Sequence, residues 1–246
     1  MAHNYDSLCL LFFRLLLPAS NFDTVKIGFH FDIVKIEVFN QPMSTLKTQY
    51  HHGDLTKSLL ESASLIIKEQ GVESLSMRKL ADTVGVSRTA PYHHFKDKNA
   101  LLCALAEQGF YEQAKMLNVL RSEKNTAEEG FKKYVHTYLE YALQHNETYD
   151  LMYGRALWKA GAPSDSLKAA SKQTFKAWID WVEELQEQNI LPNNNTPLRI
   201  GQTTWASIHG LARLFIDGIY LDTEDSTDMI EQMINNLCSI QLINQH

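Results

Sequence analysis

The stretch GVESLSMRKLADTVGVSRTAPYHHFKDKNALLCAL, which covers residues 71–105, contains the pattern that decides the fold. Ser76 is a typical N-cap, and the residues after it predict a short helix that Gly85 ends. A second short helix, Arg88–Phe95, follows after the turn. Because two short helices joined by a three-residue turn with a glycine form a helix-turn-helix, we predict this motif over residues 76–95.

Further helices are predicted on both sides of the motif. Upstream, the apolar residues between Leu55 and Ile67 are spaced for one buried helix face, and Asp54 can cap that helix. Downstream, Asp97 can cap a longer helix. The upstream helix and the two helices of the motif form a predicted three-helix unit, and the N-terminal domain, residues 53–113, extends into the longer fourth helix.

The composition favours an all-α fold. Gly (11) and Pro (6) are scarce among the 246 residues, whereas β-sandwiches and barrels need many turn residues. The three cysteines stand far apart, at positions 9, 103 and 238, which argues against a disulfide framework and a Cys-rich zinc site. We therefore expect a protein of the reducing cytoplasm that holds no metal ion or cofactor.

The net charge of −6 conceals a division within the chain. Residues 44–100 carry eight Lys and Arg against six Asp and Glu, whereas residues 101–246 carry twelve against nineteen. A mildly basic unit that contains a helix-turn-helix suits a polyanionic partner. The charge pattern therefore predicts nucleic-acid contacts for the N-terminal domain alone.

The second helix of the motif carries side chains that suit double-stranded DNA. Arg88 can pair bidentately with guanine, and the methyl group of Ala90, next to Thr89, can contact that of thymine. Donors for phosphate oxygens are available on Tyr92, His93, His94 and Lys98. In the alternative interpretation Tyr92 and Phe95 are core residues, and for Phe95 we expect this.

The same stretch resembles the DNA-binding domain of the TetR/AcrR family of one-component transcriptional regulators. It contains the patterns Ser-Met-Arg-x-Leu-Ala-x-x-x-Gly-Val and Tyr-x-His-Phe-x-x-Lys. The resemblance implies that Ser76 and Arg78 approach the DNA backbone and that residues 87–93, beginning with Ser87, contact bases. It also implies that phosphates are held by Tyr92, His94 and Lys98. The family often has an aliphatic residue where this chain has Pro91.

Residues 114–246 are predicted to form a helical ligand-binding and dimerisation domain. The helices expected at 198–219 and 227–243 are apolar over a wide arc, which fits either a single-chain core or a four-helix bundle with a second copy. We expect the bundle, with an interface formed by Ile208, Leu211, Phe215, Ile230, Met233 and Leu237. Within the first of these helices, Trp205, His209 and Gly210 resemble the Trp-His-Gly signature of some TetR-like regulators.

Aromatic residues are abundant in this C-terminal domain and suggest a pocket. Mostly apolar walls with a few polar groups suit a small apolar or aromatic effector. The residues expected to converge on it are Tyr138, Met152, Trp178, Trp205 and His209. For each of them the alternative is an ordinary core position.

The predicted function is that of a ligand-responsive repressor that acts as a homodimer on a palindromic DNA operator, and not that of an enzyme. The sequence has no Gly-x-Ser-x-Gly, His-Glu-x-x-His or Walker motif. Two alternatives stay open, an all-helical enzyme without a recognisable catalytic motif and a constitutive architectural DNA-binding protein.

Residues 1–43 differ in pattern from the rest of the chain. Leu8–Leu17 is apolar, but Arg14 interrupts it and it is shorter than the roughly 20 residues that span a bilayer. Val25–Phe39 alternates like a strand. We interpret the segment as an extension that the fold does not use and that need not belong to the natural protein, with no membrane partner. The alternative is a membrane-associating or swapped strand segment.

Overall fold

The computed structural model describes residues 55–219 and 224–238. They form the α-helices α1 Leu55–Gln70, α2 Met77–Val84, α3 Lys98–Ser122, α4 Ala127–Gln144, α5 Asn146–Tyr153, α6 Asp165–Glu187, α7 Pro197–Ile216 and α8 Glu224–Cys238. Shorter turns of helix are 3-10 at Val72–Ser74 and Ala90–His93 and π at Ala156–Ala160. These ranges contain no β-strand, which confirms the predicted all-α class. The prediction for residues 1–43 lies outside the described residues.

The predicted N-caps Ser76 and Asp97 are confirmed, and Ser164 and Thr196 cap α6 and α7 in the same way. At each one, the side-chain oxygen accepts a hydrogen bond from the backbone N–H three residues later. Such a cap stabilises a helix by about 1 kcal/mol. The last helix, α8, begins at Glu224, and Ser226 is buried within its first turn.

Buried apolar side chains form two clusters along the chain. The N-terminal core joins α1, α2 and the first half of α3 with parts of α5 and α6, and Leu59, Leu80 and Leu101 are fully covered in it. The C-terminal core joins α4, α6, α7 and α8 with the end of α3 and includes Phe131 and Leu185. Because α3 is 25 residues long, it contributes buried residues to both cores and connects them as one continuous helix.

The second helix of the helix-turn-helix is shorter than predicted. In place of an α-helix over residues 88–95, Ala90–His93 forms a 3-10 helix. Pro91 explains the difference, because it has no N–H to donate to the Ser87 carbonyl. That carbonyl instead accepts from the N–H of Ala90 at 2.9 Å. We call residues 87–95 the recognition segment.

Candidate DNA-binding surface and ligand cavity

The recognition segment is anchored on one side and exposed on the other. Pro91 and Phe95 are buried, which confirms the expected core position of Phe95. Tyr92 is 54% exposed, so the alternative that made it a core residue is wrong. The other exposed side chains of the segment are Ser87, Arg88, Thr89, His93 and His94, and Ala90 is half-buried.

The turn before this segment depends on Gly85. Its backbone has φ 77° and ψ 32°, the left-handed conformation in which a side chain is unfavourable by roughly 1–2 kcal/mol. In this conformation the N–H groups of Gly85 and Val86 both donate to the carbonyl of Ala81 at 3.0 Å. The glycine thereby closes α2 and sets the direction in which the recognition segment leaves it.

Asp82 lies between the two arginines of the predicted DNA-binding surface. Its carboxylate is 3.9 Å from Nε of Arg78 and 3.8 Å from Nε of Arg88, and all three side chains are exposed. Exposed ion pairs of this kind contribute about 0–1 kcal/mol. Both guanidinium groups can therefore leave this partner at little cost.

Two of the residues expected at phosphates also have partners within the domain. Nζ of Lys98 donates to the carbonyl of Val72 at 2.7 Å, and Nδ1 of His94 is 2.9 Å from the hydroxyl of Thr56. The Lys98 ammonium group has two further protons, and the imidazole has its second nitrogen. These side chains thus connect the recognition segment and α3 to the rest of the domain as well as carrying donors.

A cavity of about 280 Å³ lies in the C-terminal domain, between α3, α4, α5, α6 and α7. Four of the five residues predicted for a pocket line it: Tyr138, Met152, Trp178 and Trp205. His209 does not line it but stacks on Trp205, with 4.8 Å between ring centroids. No charged side chain is among the lining residues, so the walls are aromatic and aliphatic with a few neutral polar groups.

A hydrogen-bonded chain of side chains runs from the cavity to α7. The hydroxyl of Tyr138 is 2.9 Å from that of Tyr149, which in turn is 2.5 Å from Nδ1 of His209. Burial raises the pKa of both tyrosines, so both stay neutral at physiological pH. Burial, and then the nearby charge of Arg213, lower the pKa of His209. The chain is therefore uncharged at pH 7, as an apolar cavity requires.

Sequence reasoning missed Gln113, the most unusual polar residue of the cavity. It is 4% exposed, and its Oε1 accepts a hydrogen bond from the hydroxyl of Tyr153 at 2.7 Å. Among the buried side-chain nitrogens and oxygens of the described residues, its Nε2 alone has no hydrogen-bond partner. An unsatisfied buried donor costs about 1–3 kcal/mol. The signal in the sequence was a glutamine between Phe110 and Leu117, at helical spacing on one apolar face.

Two family models match the chain. Residues 59–105 match the model for bacterial regulatory proteins of the tetR family, and residues 131–237 match the tetracyclin repressor-like C-terminal domain. The first match contains the helix-turn-helix, and the second contains α6, α7 and most of the cavity wall. The chain belongs to the TetR family.

Individual proteins support the same assignment. A solved structure of a Rhodococcus sp. RHA1 protein of unknown function is 31% identical, with a TM-score of 0.66 over 78% of this chain and 100% of that one. A TetR-family transcriptional regulator from Pectobacterium atrosepticum is 25% identical, with a TM-score of 0.55 over 74% and 89%. This TetR-family chain is therefore similar to regulatory proteins, which removes the all-helical enzyme that the sequence left open.

Curated relatives match over different lengths. The HTH-type transcriptional repressor AcnR of Corynebacterium diphtheriae is 34% identical over 90 residues, which are 37% of this chain and 43% of AcnR. The repressor KstR2 of Mycobacterium tuberculosis is 27% identical over 158 residues, 61% of this chain and 78% of KstR2. The match thus spans less than half of AcnR but most of KstR2.

The six residues predicted for a dimer interface of this TetR-family protein divide into two groups. Ile208, Leu211 and Ile230 are buried within a single chain, so a partner has almost no surface of theirs left to cover. The sequence assigned them to the interface because it does not show which core covers an apolar helix face. The residues that keep partial exposure are Phe215, Met233 and Leu237.

Two further features of the described residues concern membranes and metals. None of the described helices combines the length and the apolar character that crossing a membrane requires. In the same part of the chain, no three His, Cys, Asp or Glu side chains are arranged to hold a metal ion.

Proposed function

We propose that this TetR-family protein is a transcriptional repressor that binds a palindromic DNA operator as a homodimer in the cytoplasm. The observation that carries the proposal is the recognition segment, in which buried Pro91 and Phe95 hold Arg88, Thr89 and Tyr92 towards solvent. The names of AcnR and KstR2, both transcriptional repressors, support the same role here.

A dimer follows from the size of the DNA-binding surface. One recognition segment offers few contacts to bases, whereas a twofold pair places two segments about 34–36 Å apart, one repeat of the major groove. The exposed part of α7 and α8, around Phe215, Met233 and Leu237, is the surface we assign to the second copy.

The cavity supports regulation by a small apolar or aromatic effector. Phe110, Gln113 and Leu117 of α3 line it, and the same helix begins beside the recognition segment at Lys98. An effector releases DNA only if it binds the DNA-incompetent arrangement more tightly than the competent one. This cavity favours a ligand-responsive repressor over a constitutive architectural protein.

Fluorescence anisotropy with duplexes from the protein's own promoter region tests the proposal. Replacement Arg88→Ala is expected to lower affinity for the preferred half-site about tenfold and to change which half-site is preferred. The control Arg155→Ala removes an exposed arginine of the C-terminal domain and is expected to leave binding unchanged. Affinity should fall steeply with salt, because phosphate contacts release counterions. A monomer by light scattering that binds no such duplex would contradict the proposal.

A further inference from the structure

The unpartnered Gln113 amide identifies the chemistry of the molecule that fills the cavity. Its Oε1 accepts a hydrogen bond from the hydroxyl of Tyr153, while its Nε2 has no hydrogen-bond partner among the described residues. Gln113 lines the cavity, so an acceptor on a bound molecule is the partner that this donor lacks.

Three of the hydroxyl donors of the cavity wall are already used. Thr174 donates to the carbonyls of Phe110 and Ala170, and Ser171 donates to that of Lys168. The hydroxyl of Tyr138 is paired with that of Tyr149. A ligand therefore meets the Gln113 amide among mostly apolar walls, to which Tyr134 and Trp205 add a hydroxyl and an indole N–H.

The ligand class also follows from charge. No Lys, Arg or His lines the cavity, and residues 101–246 carry an excess of Asp and Glu. A carboxylate would lose its hydration without gaining a cation, which is strongly unfavourable. A neutral carbonyl oxygen can accept the hydrogen bond that the Gln113 amide donates.

The volume and the aromatic walls of the cavity indicate the size and shape of the ligand. An apolar cavity of about 150 Å³ accommodates benzene, so one of about 280 Å³ fits a molecule of roughly two fused rings. Tyr134 and Trp178 lie parallel, with 5.1 Å between ring centroids and 15° between planes, and Trp205 faces Phe175 edge-on. Such aromatic walls favour a flat ring system that stacks on or meets them edge-on.

We infer that the cavity binds a neutral bicyclic aromatic or similarly flat apolar compound with one carbonyl group, whose oxygen accepts a hydrogen bond from Nε2 of Gln113. This inference rests on the proposed effector-binding role of the C-terminal domain and adds its ligand class. Gln113 is thus a specificity-determining residue, because it discriminates by hydrogen bonding among compounds of the same shape.

Calorimetric titration of the full chain with three probes tests the inference. The probes are 2-acetonaphthone, the isosteric hydrocarbon 2-isopropenylnaphthalene, in which a methylene replaces the carbonyl oxygen, and the carboxylate 2-naphthoate. We expect the ketone to bind about tenfold more tightly than the hydrocarbon, because only it satisfies the donor, and the carboxylate to bind most weakly. Equal affinity for ketone and hydrocarbon, or strongest binding of the carboxylate, would overturn the inference.

Variants assign the discrimination to Gln113. In Gln113→Leu the preference for the ketone is expected to disappear, while hydrocarbon binding persists. Gln108→Leu changes the same residue type at an exposed position of the same helix and should keep the preference. Tyr153→Phe, which releases Oε1, should reduce the preference and provides a second test if Gln113→Leu does not fold. A preference that survives both Gln113→Leu and Tyr153→Phe would overturn the assignment.

The titration needs no DNA, so its failure is distinct from failure of the proposed function. If the protein binds its operator but none of the probes, the inferred ligand class is wrong and the repressor role stands. If it prefers the ketone but binds no duplex, the proposed repressor role is wrong and the inferred recognition by Gln113 is supported.

Discussion

Asp82 controls the charge of the predicted DNA-binding surface, because its carboxylate lies 3.8–3.9 Å from two arginines expected to contact DNA. Replacement Asp82→Asn keeps the shape and removes the negative charge. We expect affinity for every duplex to rise severalfold at low salt, and the gain to shrink as salt screens it. Anisotropy at two salt concentrations measures this, with Asp180→Asn, an acid paired with Lys176 in the C-terminal domain, as control. Loss of affinity for one sequence alone would show that Asp82 contacts a base directly.

Lys98 is expected to act within the protein as well as at phosphates. Its ammonium group donates to the Val72 carbonyl at 2.7 Å, so Lys98→Met removes the shorter of that carbonyl's two hydrogen bonds and leaves the one from the Leu75 N–H at 3.2 Å. The free energy of unfolding should fall by about 1–2 kcal/mol, because hydrogen bonds from charged donors exceed neutral ones. Urea denaturation measures the change, and the exposed neighbour substitution Lys96→Met is the control. Unchanged stability with weaker DNA binding would restrict Lys98 to the phosphate role.

At the scale of helices, local signals were sufficient for most boundaries. Caps such as Ser76 and the turn glycine Gly85 act through residues within four positions, so the sequence shows them directly. Pro91 was visible too, and its missing N–H is the local signal for the 3-10 helix that the prediction of an α-helix over 88–95 did not use. Gln113 stood out as polar on an apolar face, yet its partner Tyr153 is 40 residues away, and only the fold shows that one donor stays unpaired.

The contact between α3 and α5 depends on Gly109. A Cβ there would lie 2.4 Å from Sδ of Met152 and 3.0 Å from Cγ2 of Thr148. Although alanine favours a helix, we expect Gly109→Ala to lower the free energy of unfolding by about 1–2 kcal/mol, because the packed neighbours must move. In Gly130→Ala on α4 the nearest atom is 3.9 Å away, so stability should rise by up to about 1 kcal/mol. Equal gains in thermal melts of both variants would contradict the close approach of α3 and α5.

At the scale of the whole molecule, a substitution at Gly210 on α7 can test dimer formation separately from folding. Apart from the adjacent backbone of α7, an added Cβ there meets no atom of the described residues within 4 Å, and a helix is more stable with leucine than with glycine. Gly210→Leu should therefore keep or raise the stability of the isolated chain. If α7 packs closely on a second copy, as the proposed dimer requires, the same side chain collides with that copy. We expect folded monomers that have lost most operator affinity, since one recognition segment alone contacts half a site.

On one sample, light scattering after size exclusion measures the oligomeric state, thermal melts measure the stability, and anisotropy with operator DNA measures the affinity. Gln173→Leu adds the same side chain at an exposed position of α6 and should stay dimeric and bind DNA normally. A Gly210→Leu protein that remains a dimer with full operator affinity would place the interface away from this face of α7.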